Sequence, residues 1–125
     1  MAGSYNSTGY RNGDSVPVVQ GQTAVTQITS ITTGVTCNAY AGVITTVSQT
    51  VAAGAEADFV VTNSKVAATD TVVACIKTHT SGGTFLVGVA TVAAGSFTLR
   101  LTNLHATAAG DNVLVINFLV LKSEA

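Results

Sequence analysis

Catalysis needs a base, a nucleophile and an orienting group that one fold can bring together, and this chain offers few of them. Its 125 residues contain two histidines, His79 and His105, six acidic residues and a scatter of serines. A Ser81/His79/Asp70 set can be assembled on paper, yet no Gly-x-Ser-x-Gly elbow or similar local context surrounds Ser81. We therefore expect a protein that is not an enzyme and takes no small-molecule substrate. Neither histidine has a second histidine two or four residues away, which makes a poor zinc site. Asp58, Asp70 and Asp111 lie far apart with no Asp-x-Asp loop, so calcium is not favoured either. Glycine-rich phosphate cradles opening a helix are absent because helical patterns are absent. No metal and no cofactor is expected. Asn63 and Asn103, each following a candidate strand, read as turn formers whose side chains cap their own backbone.

Cys37 and Cys75 fit no Cys-x-x-Cys or Cys/His metal spacing and are too few for a secreted disulfide scaffold. Both are expected to be small buried hydrophobes, with a disulfide within or between subunits left open.

The elements that would position these groups are strands. From Gln22 onward β-branched residues dominate and turn residues recur about every ten positions, the pattern of an all-β sandwich or barrel. Candidate strands cover roughly 23–29, 31–37, 43–51, 56–63, 71–79, 84–92, 96–103 and 112–121. Turns are marked by Ala53-Gly54, Ser81-Gly82-Gly83, Ala94-Gly95 and Gly110-Asp111. The expectation is an antiparallel β-sandwich, jelly-roll-like, over residues 23–125.

Residues 1–22 differ. Gly3, Gly9, Gly13, Gly21 and Pro17 sit among Asn, Ser and Thr without an apolar face, which predicts an extended N-terminal arm. Tyr5, Tyr10 and Arg11 belong to residue types enriched at interface hot spots, so they are the candidate partner-binding residues of that arm. The first residues lack a basic segment followed by an apolar one, so synthesis in the cytosol is expected.

A repeat of about 40 residues emerges once the turns are aligned. Val51-Ala52-Ala53-Gly54, Phe59, Thr62-Asn63 and Asp70-Thr71-Val72-Val73 are echoed by Val92-Ala93-Ala94-Gly95, Phe97, Thr102-Asn103 and Asp111-Asn112-Val113-Leu114. Two units are too few for a solenoid and predict two related strand–loop–strand halves of one sandwich.

Strand faces carry the argument about partners. In 96–103, Phe97, Leu99 and Leu101 share one face while Thr98, Arg100 and Thr102 share the other, as in a half-buried strand. In 112–121 both faces are apolar: Val113, Val115, Leu119 and Leu121 flank Asn117, opposite Leu114, Ile116, Phe118 and Val120. Strand 84–92 behaves likewise, with Phe85, Val87 and Val89 against Leu86 and Val92. A two-layer sandwich has one inner side, so the second face calls for a third layer or a neighbouring subunit. Phe85, Val87, Leu114, Ile116, Phe118 and Val120 are accordingly assigned to a subunit interface or the core.

Composition agrees. A 12.5 kDa chain is one domain, and 47% hydrophobic residues with a mean hydropathy of +0.49 are enough to fold it. Only 9% of residues are charged, against roughly 25% in an average soluble domain. A surface so sparse in charge is expected to be partly covered by other subunits. Net charge is −1, leaving no electrostatic footprint for nucleic acid or an anionic membrane. The most apolar run, Val113 to Leu121, falls far short of the roughly 20 residues a membrane helix needs.

Several segments carry a resemblance: Gly42-Val43-Ile44-Thr45-Thr46-Val47, Val51-Ala52-Ala53-Gly54, Val61-Thr62-Asn63-Ser64, Ala93-Ala94-Gly95-Ser96-Phe97-Thr98 and Leu101-Thr102-Asn103-Leu104-His105-Ala106-Thr107-Ala108. Over about residues 26–121 the chain resembles the small head decoration, or cement, proteins of tailed bacteriophages, including cyanophages. The resemblance implies a β-sandwich on the outer capsid surface of the virion, commonly a homotrimer, clamping adjacent copies of the major capsid protein. It brings no catalytic residues. A phage tail-fibre or receptor-binding module is the alternative, with the same trimeric all-β character.

Overall fold

A computed structural model of the chain describes residues 21–79, 82–110 and 113–123. Tyr5, Tyr10 and Arg11 of the expected arm lie outside the described residues, as do Ser81 and Asp111.

Among the described residues eight strands form: β1 (Thr23–Thr26), β2 (Val35–Thr36), β3 (Ala41–Thr45), β4 (Glu56–Thr62), β5 (Thr71–His79), β6 (Phe85–Ala93), β7 (Ser96–Asn103) and β8 (Leu114–Leu121). They make two four-stranded sheets, β1-β3-β8-β5 and β2-β4-β7-β6, packed as a β-sandwich. The chain changes sheet at every connection except the β6–β7 hairpin, where Gly95 supplies the positive φ of 82° that the tight turn needs. Strand β5 consequently runs beside β6 at one side of the sandwich, and β1 beside β2 at the other.

The sheets are mixed, which corrects the expectation of antiparallel strands throughout. β1 pairs with β3, and β2 with β4, in parallel. The first four strands alternate between layers, and β3 and β4 each return to their sheet in the direction of the strand two before them. Each parallel pair is thus joined through a strand of the other layer, the crossover that parallel neighbours need. Jelly rolls belong to the antiparallel architectures, and the jelly-roll-like expectation does not extend to this strand order.

Alternation of side chains builds the core. Phe59 and Val61 of β4 and Phe97, Leu99 and Leu101 of β7 face Ile44 of β3 and Leu114, Ile116, Phe118 and Val120 of β8. The Phe97 and Phe118 rings meet across the layers with centroids 5.1 Å apart. Each such side chain contributes about 1.5–3 kcal/mol on burial. Of the residues assigned to interface or core, Leu114, Ile116, Phe118, Val120 and Phe85 are buried within this single chain, and Val87 packs against them partly buried. They form the core of the sandwich, not a contact surface.

Bulges at both neighbouring edge strands change which side chains point inward. β5 slips register between Ile76 and Thr78, and β6 between Val89 and Thr91. One extra residue shifts the period-two alternation, so Val87, Val89 and Val92 all reach the core. The expectation of two apolar faces on this strand is thereby corrected: outside it shows Leu86, 58% exposed, beside Gly88 and Thr91. Both bulges also kink long edge strands that would otherwise offer straight pairing templates.

The repeat has a structural counterpart. Segment β4–β5 matches β7–β8, with β4 antiparallel to β7 in one sheet and β5 antiparallel to β8 in the other. Each half's asparagine docks on the other half's glycine turn: Asn63 N donates to Gly95 O, and Gly54 N donates to Asn103 O.

Candidate interaction surface

Among the described residues, the groups that could do chemistry are not brought together. Asp70 and His79 bracket β5, nine residues and roughly 30 Å apart at the rise of a strand. His79 stacks edge-on against Phe85, with ring centroids 5.2 Å apart, and its Nε2 is buried without a hydrogen-bond partner. The Nδ1 of His105 accepts from the backbone N–H of Thr107 and Ala108, which ties up its ring lone pair in shaping a loop. Among the described residues no group of His, Cys, Asp or Glu could hold a metal ion.

Asp70 has a structural task. Its buried carboxylate accepts from Ala67 N at 2.7 Å, from Ser123 N at 3.2 Å and from the Lys122 ammonium. The bond to Lys122, helped by the Ala67 amide against the opposing effect of burial, holds the Asp70 carboxyl below the usual carboxylate range. Stability from this clasp is complete above the unfolded value, about 3.9, and disappears as pH falls towards the lower folded value. An Asp70→Asn variant should be less stable than the parent at pH 7. The difference in denaturant midpoint should shrink as pH falls below about 4, and a constant difference would refute the assignment.

Asn63 and Asn103 are fully buried, at 0% exposure, and their amides are used up internally. Asn63 Nδ2 donates to Ala39 O at 2.7 Å, and its Oδ1 accepts from Lys65 N. Asn103 Nδ2 donates to Val51 O and Ala108 O, both at 3.0 Å, while its Oδ1 accepts from Thr84 N and His105 N. Each therefore caps backbone two residues on, as an Asx turn does. Each also ties distant loops together, and only its buried, β-strand-end position could have signalled that. Gln27 plays the same part for the β1–β2 loop, bonding Ile31 O, Thr33 O and Val47 N; sequence reasoning missed it.

What remains is surface, and the two outer faces of the sandwich differ in charge. The second sheet carries charge outside, beside exposed Val60 and Leu86. Glu56, Asp58, Val60 and Thr62 of β4 stand beside Thr102, Arg100, Thr98 and Ser96 of β7. Arg100 grips Asp58 through two bonds of 2.8 Å and reaches Glu56 at 3.4 Å. These groups are near half exposed, so the pairing contributes little stability. Its guanidinium nonetheless keeps the Asp58 carboxyl below its ordinary range.

The first sheet is nearly uncharged outside, with Thr26, Thr45, Thr71 and Thr78 among its outward residues. Register places Val43 of β3 beside Asn117 of β8 and Cys75 of β5, with Val115, Leu119, Val73 and Leu121 around them. Lys77, in the β5 bulge, is the one Asp, Glu, Lys or Arg in any strand of this sheet. Val73 and Leu121 are 46% and 48% exposed, while Val115, Asn117 and Leu119 are half-buried by their strand neighbours. Asn117 Oδ1 is buried and lacks a hydrogen-bond partner among the described residues. The expectation that β8 is apolar on both faces thus has its outward half here. Cys37 is buried as expected, but Cys75 is exposed on this face, and both thiols are free.

No family model matches the chain, and no curated protein or solved structure matches it either. Among the described residues no helix is long and apolar enough to cross a membrane.

Proposed function

We propose that this chain is a non-enzymatic structural protein of a phage virion, a homotrimeric cement protein that decorates the outside of the capsid and clamps adjacent major capsid proteins. The observation that carries the reading is the outer face of the β1-β3-β8-β5 sheet, where Lys77 at the bulged edge is the one charged strand residue, set against the Glu56, Asp58 and Arg100 cluster on the other side. A decorating subunit needs one side that packs and one that meets water. The segments resembling phage decoration proteins point the same way.

Stabilisation would act by linkage. A ligand that binds the assembled shell and not its separated parts raises the cost of disassembly, and many copies on one lattice add avidity. The arm bearing Tyr5, Tyr10 and Arg11 would extend over capsid subunits and supply the anchoring contacts.

Cryo-electron microscopy of whole particles tests the location: density for the sandwich on the head exterior is expected, and density confined to the tail would assign the receptor-binding alternative instead. Deleting residues 1–20 should leave a folded oligomer that no longer sediments with capsids. Unchanged co-sedimentation of the truncated protein would remove the arm from the mechanism.

A further inference from the structure

We propose that residues 14–18 fold back about Gly21 as a short strand on the open edge of β1, so that Tyr10 and Arg11 leave from the end of the sandwich that carries Ile28. The pairing is independent of the proposed function, and its consequence for capsid binding rests on that reading.

β1 is the end strand of its sheet, and its open side carries backbone groups that need partners. Gln27 N donates to Thr45 O at 2.8 Å, and Thr26 is in register with Thr45. In a parallel ladder this phase turns the backbone of Val25 towards β3 and leaves the N–H and C=O of Ala24 and Thr26 on the open side. They have no partner there among the described residues. The other three edge strands are blunted, β5 and β6 by bulges and β2 by its length of two residues. β1 has four residues with no charge, proline or bulge, so it is the edge a further strand fits.

The chain itself supplies that strand. Gly21 adjoins β1 with a φ of 75°, the left-handed conformation of the last residue in a three-residue hairpin loop. A Cβ at Gly21 would meet nothing within 4 Å, so glycine serves there for its backbone and not for space. A loop of Val19, Gln20 and Gly21 sets Val18 opposite Gln22, Val16 opposite Ala24 and Asp14 opposite Thr26. Ala24 and Thr26 are the positions whose backbone is open. Pro17 and Ser15 then fall opposite Thr23 and Val25, at pairs without mutual hydrogen bonds. The missing N–H of Pro17 faces outward, where an edge strand tolerates proline, and a slip of one residue would turn it onto β1 and forfeit a bond. The same segment of a sister subunit competes poorly, because closing a loop of three residues costs less entropy than joining two chains.

This strand fixes where the arm leaves. Residue 20 sits at the foot of β1, at the Ala41 end of β3. After running back along β1 the chain departs beside Thr26 instead, next to Ile28, which is 70% exposed. Arg11 and Tyr10 lie three and four residues before Asp14, within about 10–14 Å of that end. The Ile28 end is therefore the one turned towards the capsid.

Solution NMR on the full chain tests the pairing. Pairs without mutual hydrogen bonds bring Cα atoms to about 4.5 Å, so Overhauser cross-peaks are expected between the Hα protons of Pro17 and Thr23 and of Ser15 and Val25. Amide exchange at Ala24 and Thr26 should be about tenfold slower, or more, than in a Val16→Pro variant, which removes a bonded N–H. Ser15→Pro, one residue away, removes an N–H that faces outward and should leave the protection unchanged. Missing cross-peaks, equal protection in the parent and Val16→Pro, or cross-peaks arising only between differently labelled copies would each overturn the hairpin. Co-sedimentation with phage heads stripped of this protein is scored separately. Val16→Pro should bind about tenfold more weakly than the parent and Ser15→Pro equally well, and parent-like binding by Val16→Pro would remove the hairpin from the anchoring. A paired chain that never binds heads would refute the proposed function and leave the pairing standing. A chain that binds heads unpaired would do the reverse.

Discussion

Replacing Asn103 by alanine should lower the stability of the sandwich by about 3–5 kcal/mol, near the upper end for a single substitution. The side chain is 0% exposed and serves four backbone groups: it donates to Val51 O and Ala108 O and accepts from Thr84 N and His105 N. Removing it leaves these groups in the interior without partners, at roughly 1–3 kcal/mol each where water cannot follow. Water will reach some of them, which keeps the total below the simple sum. Gly83 sharpens the effect, because a Cβ there would come within 2.8 Å of the Asn103 carboxamide, so the loop is shaped around that amide. The related residue Asn63 bonds only Ala39 O and Lys65 N through its side chain, and Asn63→Ala should cost about half as much. Chemical denaturation of both variants checks the order. Equal losses, or a loss at Asn103 below about 1 kcal/mol, would show that these amides are not what holds the loops.

The same asparagines mark where reading the sequence succeeds and where it stops. Strands β4, β5 and β7 fall almost residue for residue where alternation places them, because one apolar face per strand is a local signal. Asn63 and Asn103 are readable as turn formers for the same reason, since an Asx turn is local. Their second task, binding Ala39 and Val51 from across the chain, depends on contacts between residues 24 and 52 positions apart, which no local pattern encodes.

Parallel pairing of β1 with β3 is invisible on similar grounds. A strand of four residues followed by one of two carries the same alternation whichever way its neighbour runs. In β6 the reading went wrong at one residue: the bulge after Val89 moves Val92 inward, and period-two counting cannot register an inserted residue. β8 was the informative case. As a central strand of its sheet it is apolar on the inner face for the core, while Val115 and Leu119 remain outside. That second stripe is what the core leaves unused, and it is the part of the surface legible from sequence.

Gly42→Ala should cost about 2–4 kcal/mol, a large effect for one added methyl group. Gly42 sits in β3 opposite Phe118 of β8, and its missing side chain is where the Phe118 ring lies. A Cβ at this position would come within 2.2 Å and 2.5 Å of two ring carbons and 2.9 Å of the Cys37 sulfur. None of these can yield cheaply: Phe118 is 3% exposed and braced against Phe97, and Cys37 is 1% exposed. The strain must therefore pass to the backbone of two central strands, whose close packing leaves no slack. The cause can be separated from any loss of strand propensity by changing the ring instead. Phe118→Leu alone removes contacts and should cost about 1–3 kcal/mol, yet in the Gly42→Ala background it removes the clash as well. The double variant should then be more stable than the sum of the single losses predicts, by at least 1 kcal/mol of coupling. Thermal or denaturant unfolding of the four proteins measures that coupling directly. Strict additivity would mean that Gly42 is required by its own backbone and not by the aromatic ring laid across it.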